Sequence, residues 1–340
     1  MPDSADRTAA PATAADILAL GKAFSAAKVL LSATELGVFT ALADEPGTAA
    51  DLTGRLSLHP RGVRDFLDSL VALGLLERVD DRYRNAPAAQ RHLVRGRPEY
   101  VGGFLERVNH VLYPAWGGLT EVLRTGLPRS GAQPSFDAMT RDDDQRRAYL
   151  AMMDAASGHA AEALSEIISW EDHASLLDVG GARGNLVARV LSAHPHLTGT
   201  VFDLPQMETS FGEHMVRHGV DGRATFRGGD FFADPLPGAD VAVVGHVLHN
   251  WPVERRRELI RKAAGAVGPG GLVLVYDPML DEKAAGIDNL LISLDMLLVT
   301  EGGSEYTATE CRSWMEEAGL RDVSVHPLDR NETLVVGRRP

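Results

Sequence analysis

Short apolar strands alternate with amphipathic helices over residues 174–337, and this alternation constrains the fold more than any other feature of the chain. Seven strands are predicted from apolar runs: Leu176–Val179, Thr198–Phe202, Ala224–Phe226, Val241–Gly245, Leu272–Asp277, Asp322–Val325 and Thr333–Val336. The helices predicted between them are Leu186–His194, Gln206–Gly219, Glu254–Val267 and Ala308–Ala318. Strand–helix alternation with glycine turns predicts a doubly wound α/β sheet. The last two strands have no helix between them, so we expect them to pair antiparallel at one edge.

A glycine-rich turn follows the first of these strands and reads Asp178-Val179-Gly180-Gly181-Ala182-Arg183-Gly184. Glycines let the backbone pass close to a ligand, and the following helix offers free N–H groups, although tight packing alone produces the same turns. Asp203 ends the second strand, where a carboxylate can accept both hydroxyls of a ribose. Asp230 and Phe231 follow the third strand, where they could contact the edge and face of an adenine.

The spacing of these residues distinguishes between the possible nucleotide ligands. A dinucleotide site favours Gly-x-Gly-x-x-Gly, whereas this chain has Gly180-Gly181-x-x-Gly184 and no provision for a second phosphate. Asp178, directly before the turn, suits a ligand that carries an ammonium group. The three acids together predict S-adenosylmethionine as the ligand.

Three side chains near the carboxyl ends of later strands indicate proton chemistry. His249 closes the fourth strand segment, Asp277 ends the fifth strand, and Glu305 lies in the loop Glu301–Glu305. The carboxyl ends of parallel strands face the ligand crevice. A lone histidine is more often a core or capping residue, but a neutral imidazole with a carboxylate partner is the usual general base near pH 7. The two acids therefore favour His249 as a base.

The N-terminal part of the chain has the pattern of a winged helix, with three helices followed by a hairpin around Asp80-Asp81. Thr48 is predicted to cap the helix Ala49–Leu56. A DNA-binding regulator is an alternative, but the formal net charge is −13 and the candidate recognition helix mixes arginines with aspartates. The apolar stretch Ala23–Phe39 is better explained as a subunit interface, which predicts a homodimer.

Composition also bears on the location of the protein. The single cysteine, Cys311, cannot form an internal disulfide. The N-terminus lacks the pattern of a signal peptide, and no uninterrupted apolar run approaches the ~20 residues that span a bilayer. We therefore expect a cytoplasmic protein with no nucleic-acid or membrane partner.

Six blocks resemble the class I S-adenosylmethionine-dependent O-methyltransferases of the plant caffeate and bacterial polyketide type. They are LLDVGGARGNL (Leu176–Leu186), VFDLPQ (Val201–Gln206), GGDFF (Gly228–Phe232), VLHNW (Val247–Trp251), GPGGLVLVYD (Gly268–Asp277) and GGSEYT (Gly302–Thr307). Residues Ile17–Leu93 resemble the dimerisation domain of that family. The resemblance implies a Rossmann-like seven-stranded sheet, S-adenosylmethionine as donor, no metal and a homodimer.

The resemblance also implies roles for particular residues. The implied cofactor-binding residues are Asp178, Gly180, Gly181, Gly184, Asp203, Leu204, Asp230, Phe231, Gly245 and His246. His249 would take the proton of the acceptor, with Asp277 and Glu305 holding the imidazole. The acceptor-binding candidates are Met153, Asn289, Ser293, Met296 and Trp251.

The chain departs from the family pattern at a few positions. Ala182 replaces a usual glycine, Arg183 a usual threonine or serine, and Asn250 a usual aspartate. The acidic residue that the family places near the acceptor is assigned to Asp295. Ala182 and Arg183 lie in the predicted donor turn, which an alanine still allows, and the assignment of Asp295 concerns the acceptor pocket and not the type of reaction.

We predict four segments and one reaction from these observations. Residues 1–14 are predicted to be disordered, 15–100 to form the winged-helix dimerisation domain, 101–170 a helical connector that contributes to the acceptor pocket, and 171–340 the catalytic domain that binds S-adenosylmethionine. The predicted reaction is methyl transfer to a hydroxyl of an aromatic small molecule, such as a bacterial polyketide-like phenol. N- or C-methylation, or chemistry that uses the donor without methyl transfer, is the alternative on the same fold.

Overall fold

The computed structural model describes residues 12–97, 99–128, 143–280 and 286–340. The chain divides into two compact units, Met1–His110 and Val111–Pro340. The boundaries at 100 and 170 stay predictions. Most of the segment predicted to be disordered, residues 1–14, lies outside the described residues.

The first unit contains six helices and a small sheet among its described residues. The helices are α1 (Ala14–Glu35), α2 (Val38–Ala41), α3 (Ala49–Arg55), α4 (Val63–Ala72), α5 (Pro87–His92) and α6 (Gly102–Arg107). The strands are β1 (Gly47–Thr48), β2 (Leu76–Val79) and β3 (Arg82–Asn85), in the order β1-β3-β2. Thr48 caps α3 in a capping box with Asp51, as predicted. Asp80, at φ +57°, turns β2 into β3, so the hairpin is also confirmed.

The predicted interface stretch Ala23–Phe39 needs a correction. Ala33, Val38 and Phe39 are buried in the core of their own unit, because they pack with residues of the following helices. The exposed apolar side chains lie earlier on α1, at Ile17, Leu18, Leu20 and Phe24. The part of α1 that is free to contact another molecule is therefore its first half.

By length and composition alone, α1 is also long and apolar enough to cross a membrane. A search for uninterrupted apolar runs passes over it because Asp16, Lys22 and Lys28 interrupt the sequence. A helix that packs partly into a protein core meets the same criterion, and the second half of α1 does so.

The second unit is built around a seven-stranded sheet. Its strands are β4 (Ser175–Val179), β5 (Thr198–Asp203), β6 (Ala224–Gly228), β7 (Ala239–Gly245), β8 (Val267–Asp277), β9 (Arg321–Pro327) and β10 (Thr333–Arg338). The order is β6-β5-β4-β7-β8-β10-β9, and β10 runs antiparallel to both of its neighbours. The predicted doubly wound sheet with an antiparallel edge is confirmed.

The second unit also contains the helices α7 (Tyr113–Trp116), α8 (Leu119–Thr125), α9 (Asp143–Ile167), α10 (Asn185–Ala193), α11 (Glu208–His218), α12 (Val253–Ala266), α13 (Ile287–Val299) and α14 (Ala308–Glu317). Helices α9, α10 and α11 pack on one face of the sheet and α12 and α14 on the other, whereas α7, α8 and α13 share a separate apolar cluster. Two hydrophobic clusters form the core, one on each face, and the alternating side chains of β4, β7 and β8 contribute to both. This arrangement places the turns after β4, β5, β7 and β8 at one edge of the sheet, where ligands bind in open α/β folds.

Candidate active site

The turn after β4 adopts backbone conformations that require small residues. Gly180 and Gly184 have φ values of +76° and +80°. A Cβ atom on Gly180 would lie 2.6 Å from Cγ2 of Val247, so a side chain cannot be accommodated there. Ala182 also adopts a left-handed conformation, at φ +51°, which costs about 1 kcal/mol or more for a residue with a Cβ. This cost explains why a glycine at position 182 is usual in the resembling family.

Two buried carboxylates flank this turn. Asp203 accepts hydrogen bonds from the backbone N–H of Ala182 at 2.7 Å and of Leu204 at 2.6 Å. Burial raises the pKa of Asp203 to about 6. Burial, with a smaller contribution from Asp203, raises the pKa of Asp178 to about 7. Buried carboxylates of this kind are stabilised in their ionised form by a cationic ligand.

One cavity brings several predicted residues together. Asp178, Gly180, Gly181, Gly245 and His246 line it. Tyr276 and the α9 residues Met153, Asp154 and Ser157 also line it. Met153, predicted to contact the acceptor, therefore lies beside the predicted donor residues.

Aromatic rings cluster beyond β6 and β7. Asp230 is exposed, and its side chain accepts a hydrogen bond from the N–H of Phe232 at 2.8 Å. The ring of Phe231 lies edge-on to those of Phe232 and Trp251, with centroids 4.8 and 6.1 Å away. Trp251, predicted to contact the acceptor, therefore belongs to the cluster that contains the predicted adenine-contacting residue.

His249 lies in a short 3-10 turn after β7, buried between two carboxylates. Its Nδ1 is 2.7 Å from Oε1 of Glu305 and 3.6 Å from Oδ1 of Asp277. Burial is the main cause of three shifts: it lowers the pKa of His249 and raises the pKa values of Asp277 and Glu305 above their ordinary values. The structure thus brings together the three residues that the sequence predicts to be catalytic.

Two further residues support this cluster, and the sequence did not predict either of them. The hydroxyl of Tyr306 donates to Oδ2 of Asp277 at 2.5 Å. Arg256 is buried and donates to the carbonyl oxygens of Trp251 at 2.6 Å and Ser304 at 2.7 Å, which joins the His249 turn to the Glu305 loop. Tyr306 directly follows Glu305 in the sequence and could have been suspected, but nothing local marks Arg256.

A second histidine–carboxylate pair lies beside the first. Nε2 of His246 is 2.8 Å from Oε1 of Glu332, which lies in the turn between β9 and β10. Burial lowers the pKa of His246, but Glu332, Asp277 and Glu305 outweigh it and raise the pKa above its ordinary value. His246 also has φ +54°, a strained conformation of the kind that clusters at functional sites.

The predicted acceptor residues on α13 make hydrogen bonds within the protein. Asn289 donates to the carbonyl oxygens of Met279 and Asn331, at 2.7 and 2.8 Å. Ser293 accepts from the N–H of Glu305 at 3.1 Å. Met296 packs in a cluster with α7 and α8. These contacts orient the loops of the site, and binding of an acceptor by these side chains stays a prediction.

Asp295 accepts a hydrogen bond from Nε1 of Trp116 at 2.7 Å. This contact joins α13 to α7. The two helices also share an apolar cluster. The residue that the family pattern places near the acceptor therefore makes a contact between helices in this chain.

His246, His249 and Asp277 place possible metal-ligating atoms within 4.8 Å of one another. A tetrahedral zinc site needs ligand atoms about 3.3 Å apart, given Zn–N distances near 2.0 Å. Nδ1 of His249 is already occupied by Glu305. The geometry therefore gives no support to a metal centre at this cluster.

The fold and this site together define the class of a nucleotide-binding α/β protein with a buried histidine between two carboxylates. Comparison with known families makes the identification specific: the O-methyltransferase domain matches residues 116–321, and the O-methyltransferase dimerisation domain matches residues 4–95. The chain belongs to the S-adenosylmethionine-dependent O-methyltransferase family, and S-adenosylmethionine is its donor.

Individual relatives agree with this assignment. The chain is 47% identical to the tetracenomycin polyketide synthesis 8-O-methyl transferase TcmO of Streptomyces glaucescens, over 96% of each chain. It is 42% identical to the N,N-dimethyltransferase OxyT of Streptomyces rimosus, over 97% of each chain. The crystal structure of human N-acetylserotonin methyltransferase in complex with S-adenosylmethionine superposes with a TM-score of 0.85 at 27% identity, covering 99% of this chain and 98% of that one.

Proposed function

We propose that this protein methylates a phenolic hydroxyl of an aromatic, polyketide-like natural product, with His249 as the general base. The contact that carries the proposal is the 2.7 Å distance between Nδ1 of His249 and Glu305. When Nδ1–H donates to Glu305, Nε2 is left unprotonated and can accept the proton of a hydroxyl group. The 47% identity to a polyketide O-methyltransferase supports the class of acceptor.

The two carboxylates have different parts in this mechanism. Glu305 accepts the Nδ1 hydrogen bond, so it sets the tautomer and the orientation of the imidazole. Asp277 lies 3.6 Å away and acts through its charge, which stabilises the imidazolium that forms when the proton is taken up. A buried imidazole with a low pKa is neutral at physiological pH and is therefore ready to act as a base.

The residues around the turn after β4 fit the donor. S-adenosylmethionine supplies the methyl group, and its charged groups match the carboxylates of this site. Asp178 would hold the ammonium group, Asp203 the ribose hydroxyls, and Asp230 with Phe231 the adenine. Gly180 and Gly245, which line the same cavity, have no space for a side chain, because Val247 and the ring of Tyr276 pack directly against them.

The proposal includes a homodimer and a cytoplasmic location. The match to a dimerisation domain and the exposed apolar side chains on the first half of α1 support the homodimer. Replacing Phe24 with Glu should weaken self-association, measured by light scattering after gel filtration, while the matched exposed substitution Val216→Glu should leave it unchanged. If both variants self-associated equally well, α1 would not be part of the interface.

N-methylation is the second candidate, and one observation favours it. The chain is 42% identical to a relative named as an N,N-dimethyltransferase. An amine acceptor needs its nitrogen deprotonated before attack, so His249 would still be useful. The chain's identities to these two relatives, 47% and 42%, are close to each other, so a direct comparison of hydroxy and amino acceptors decides between the two candidates.

Paired acceptors that differ in a single group test the two candidates. The protein is incubated with S-adenosylmethionine and a panel of hydroxynaphthoates, hydroxyanthraquinones and tetracyclic phenols, each matched with its amino analogue. We expect a mass increase of one CH2 on the hydroxy compounds, with the methyl group located on oxygen by NMR. Methylation of the amino compounds alone would establish the second candidate, and turnover of neither series would overturn both.

A further inference from the structure

Different groups hold the two carboxylates beside His249. Proton transfer to His249 does not by itself account for this difference. Glu305 is fixed through its backbone, because its N–H donates to Ser293 and Arg256 binds the preceding residue, Ser304. Asp277 is held through its side chain, because the Tyr306 hydroxyl donates to Oδ2 at 2.5 Å. Its other oxygen, Oδ1, is buried and has no hydrogen-bond partner among the described residues.

The ring of Tyr306 is buried and in contact with neighbouring side chains on more than one side. Tyr306 is 2% exposed, its ring centroid is 5.0 Å from that of Trp314, and the guanidinium of Arg256 lies 4.9 Å from the ring. The backbone carbonyl of Tyr306 accepts a hydrogen bond from Leu280 at 2.8 Å. The hydroxyl is therefore presented to Asp277 from a fixed position, and its removal would leave the ring in place.

We propose that Tyr306 is a positioning residue, which holds Asp277 beside His249 as a charge while Glu305 alone takes the Nδ1 hydrogen bond. Without the hydroxyl, a buried carboxylate would lack its hydrogen-bond donor and would either turn toward Nδ1, in competition with Glu305, or take up a proton. Either result would weaken the base. This inference rests on the proposed function of His249.

The hydrogen bond from Tyr306 favours the ionised form of Asp277, so its loss raises the pKa of that carboxyl further above its ordinary value. The ionised form then persists only at higher pH, and the acid limb of the rate profile moves upward. The other titratable and charged groups around Asp277 are His249, Glu305, His246, Arg256, Cys311, Tyr276 and Glu332. None of them is changed by a Tyr306→Phe substitution.

The test compares Tyr306→Phe with a matched variant. Tyr83 is equally buried, and its hydroxyl donates to Asp68 at 2.8 Å in the unit that contains residues 1–110. We expect Tyr306→Phe to lower kcat by roughly tenfold, as for the loss of a hydrogen bond to a charged group, and to move the acid limb of kcat up by about 0.5–1 pH unit. The KM for S-adenosylmethionine should stay within about twofold. Tyr83→Phe should remove a similar bond and leave the pH profile unchanged.

Two further arms keep the proposal open to disproof. In the Asp277→Asn background, Tyr306→Phe should have no further effect on kcat, because the hydroxyl acts through the carboxylate. If Tyr306→Phe fails to fold, incorporation of 3-fluorotyrosine at position 306 preserves the ring and strengthens the donor, and it should move the acid limb to lower pH. A uniform loss of rate with an unmoved limb, or additive losses in the double variant, would overturn the proposal.

An NMR measurement separates this inference from the proposed function, because it needs no acceptor. The imidazole shift of His249 is followed against pH in the protein bound to adenosylhomocysteine, with His249→Gln for assignment. We expect the imidazole shift to show an inflection at the pH where Asp277 titrates. This inflection should move to higher pH in Tyr306→Phe and should be absent in Asp277→Asn. An inflection that is the same in wild type and Tyr306→Phe would overturn the role of Tyr306, whereas failed methylation of every acceptor would overturn the proposed function alone.

Discussion

The two ends of the ligand crevice are built from different parts of the chain. The donor end consists mainly of backbone: left-handed glycines after β4 and the N–H groups bound by Asp203. The end that holds His249 consists of side chains: Glu305, Asp277 and Tyr306 arrive from separate segments and meet at one imidazole. A glycine turn depends on the backbone space at positions such as Gly180, whereas a network of buried side chains depends on the polar groups of each member.

The comparison also separates binding from catalysis. Asp178, at the proposed donor end, is buried and suited to a cation, and the carboxylates around His249 would suit a neutral base that becomes charged during the proposed reaction. Changes at one end should therefore alter donor affinity, and changes at the other should alter turnover.

The largest expected effect is that of His249→Gln. The substitution keeps a polar side chain of similar length and removes the base, so kcat should fall by about 10²–10⁴-fold. Donor affinity, measured by calorimetry with adenosylhomocysteine, should remain within about twofold. A loss of donor affinity as large as the loss of turnover would show that the two ends are not separate.

Asp203→Ala should produce the opposite result at the other end. It removes the acceptor of two backbone N–H groups and of the proposed ribose hydroxyls, so the Kd for adenosylhomocysteine should rise by about 10–100-fold. At saturating donor, kcat should change little. Asp240→Ala is the control, because Asp240 also accepts backbone N–H groups, from Ala174 and Ser175, at the opposite edge of the sheet. A fall in kcat without a change in Kd would contradict the division.

The pH dependence of donor binding tests whether Asp178 holds the ammonium group of the donor. Its pKa is about 7 in the free protein because it is buried, and a cationic ammonium group would lower it on binding. Binding therefore favours the ionised form, so affinity for adenosylhomocysteine should rise by up to about tenfold per pH unit below pH 7 and level off above it. Proton release, measured by calorimetry in buffers of different ionisation enthalpy, checks the sign. Asp178→Asn should flatten the dependence, and an unchanged slope in that variant would exclude Asp178.

The smallest effect concerns the contact between α9 and the donor turn. Arg183 and Asp154 form a largely buried, bidentate ion pair. The two single substitutions to Ala and the double variant should give a coupling of about 1–2 kcal/mol in the free energy of unfolding. The exposed pair Arg255 and Glu258 is a control that should give less than about 0.5 kcal/mol. Equal coupling for both pairs would mean that α9 contributes nothing specific to the donor turn.

The sequence predicted the donor end more completely than the chemistry around His249. Asp178, the glycines and Asp203 follow directly from strand ends and short-range spacing, which is a local property of the chain. Asp277 was predicted from a strand end and Glu305 from its loop and the family resemblance, and Tyr306 and Arg256 were missed. Their contacts with Asp277 and with the His249 turn depend on which loops meet, and no local pattern contains that information.

The helix α13 shows the same limit in another form. The sequence placed Asn289 and Ser293 in the acceptor pocket through the family layout. In the fold, Asn289 joins two loops and Ser293 holds the backbone of Glu305. A polar side chain on an amphipathic helix can serve a ligand or a neighbouring loop, and only the packed structure distinguishes these uses.

By itself, the sequence determined the strand order along the chain and the class of sheet, and it predicted the segments that would contact the donor, because alternating hydrophobicity and glycine turns act locally. The tertiary structure alone decided which carboxylate takes Nδ1 of His249, which one is held away by Tyr306, and which half of α1 remains exposed. The reason is physical: hydrogen bonds between residues 29 and 56 positions apart depend on distances of a few tenths of an ångström, and these distances are set only when the helices and loops pack.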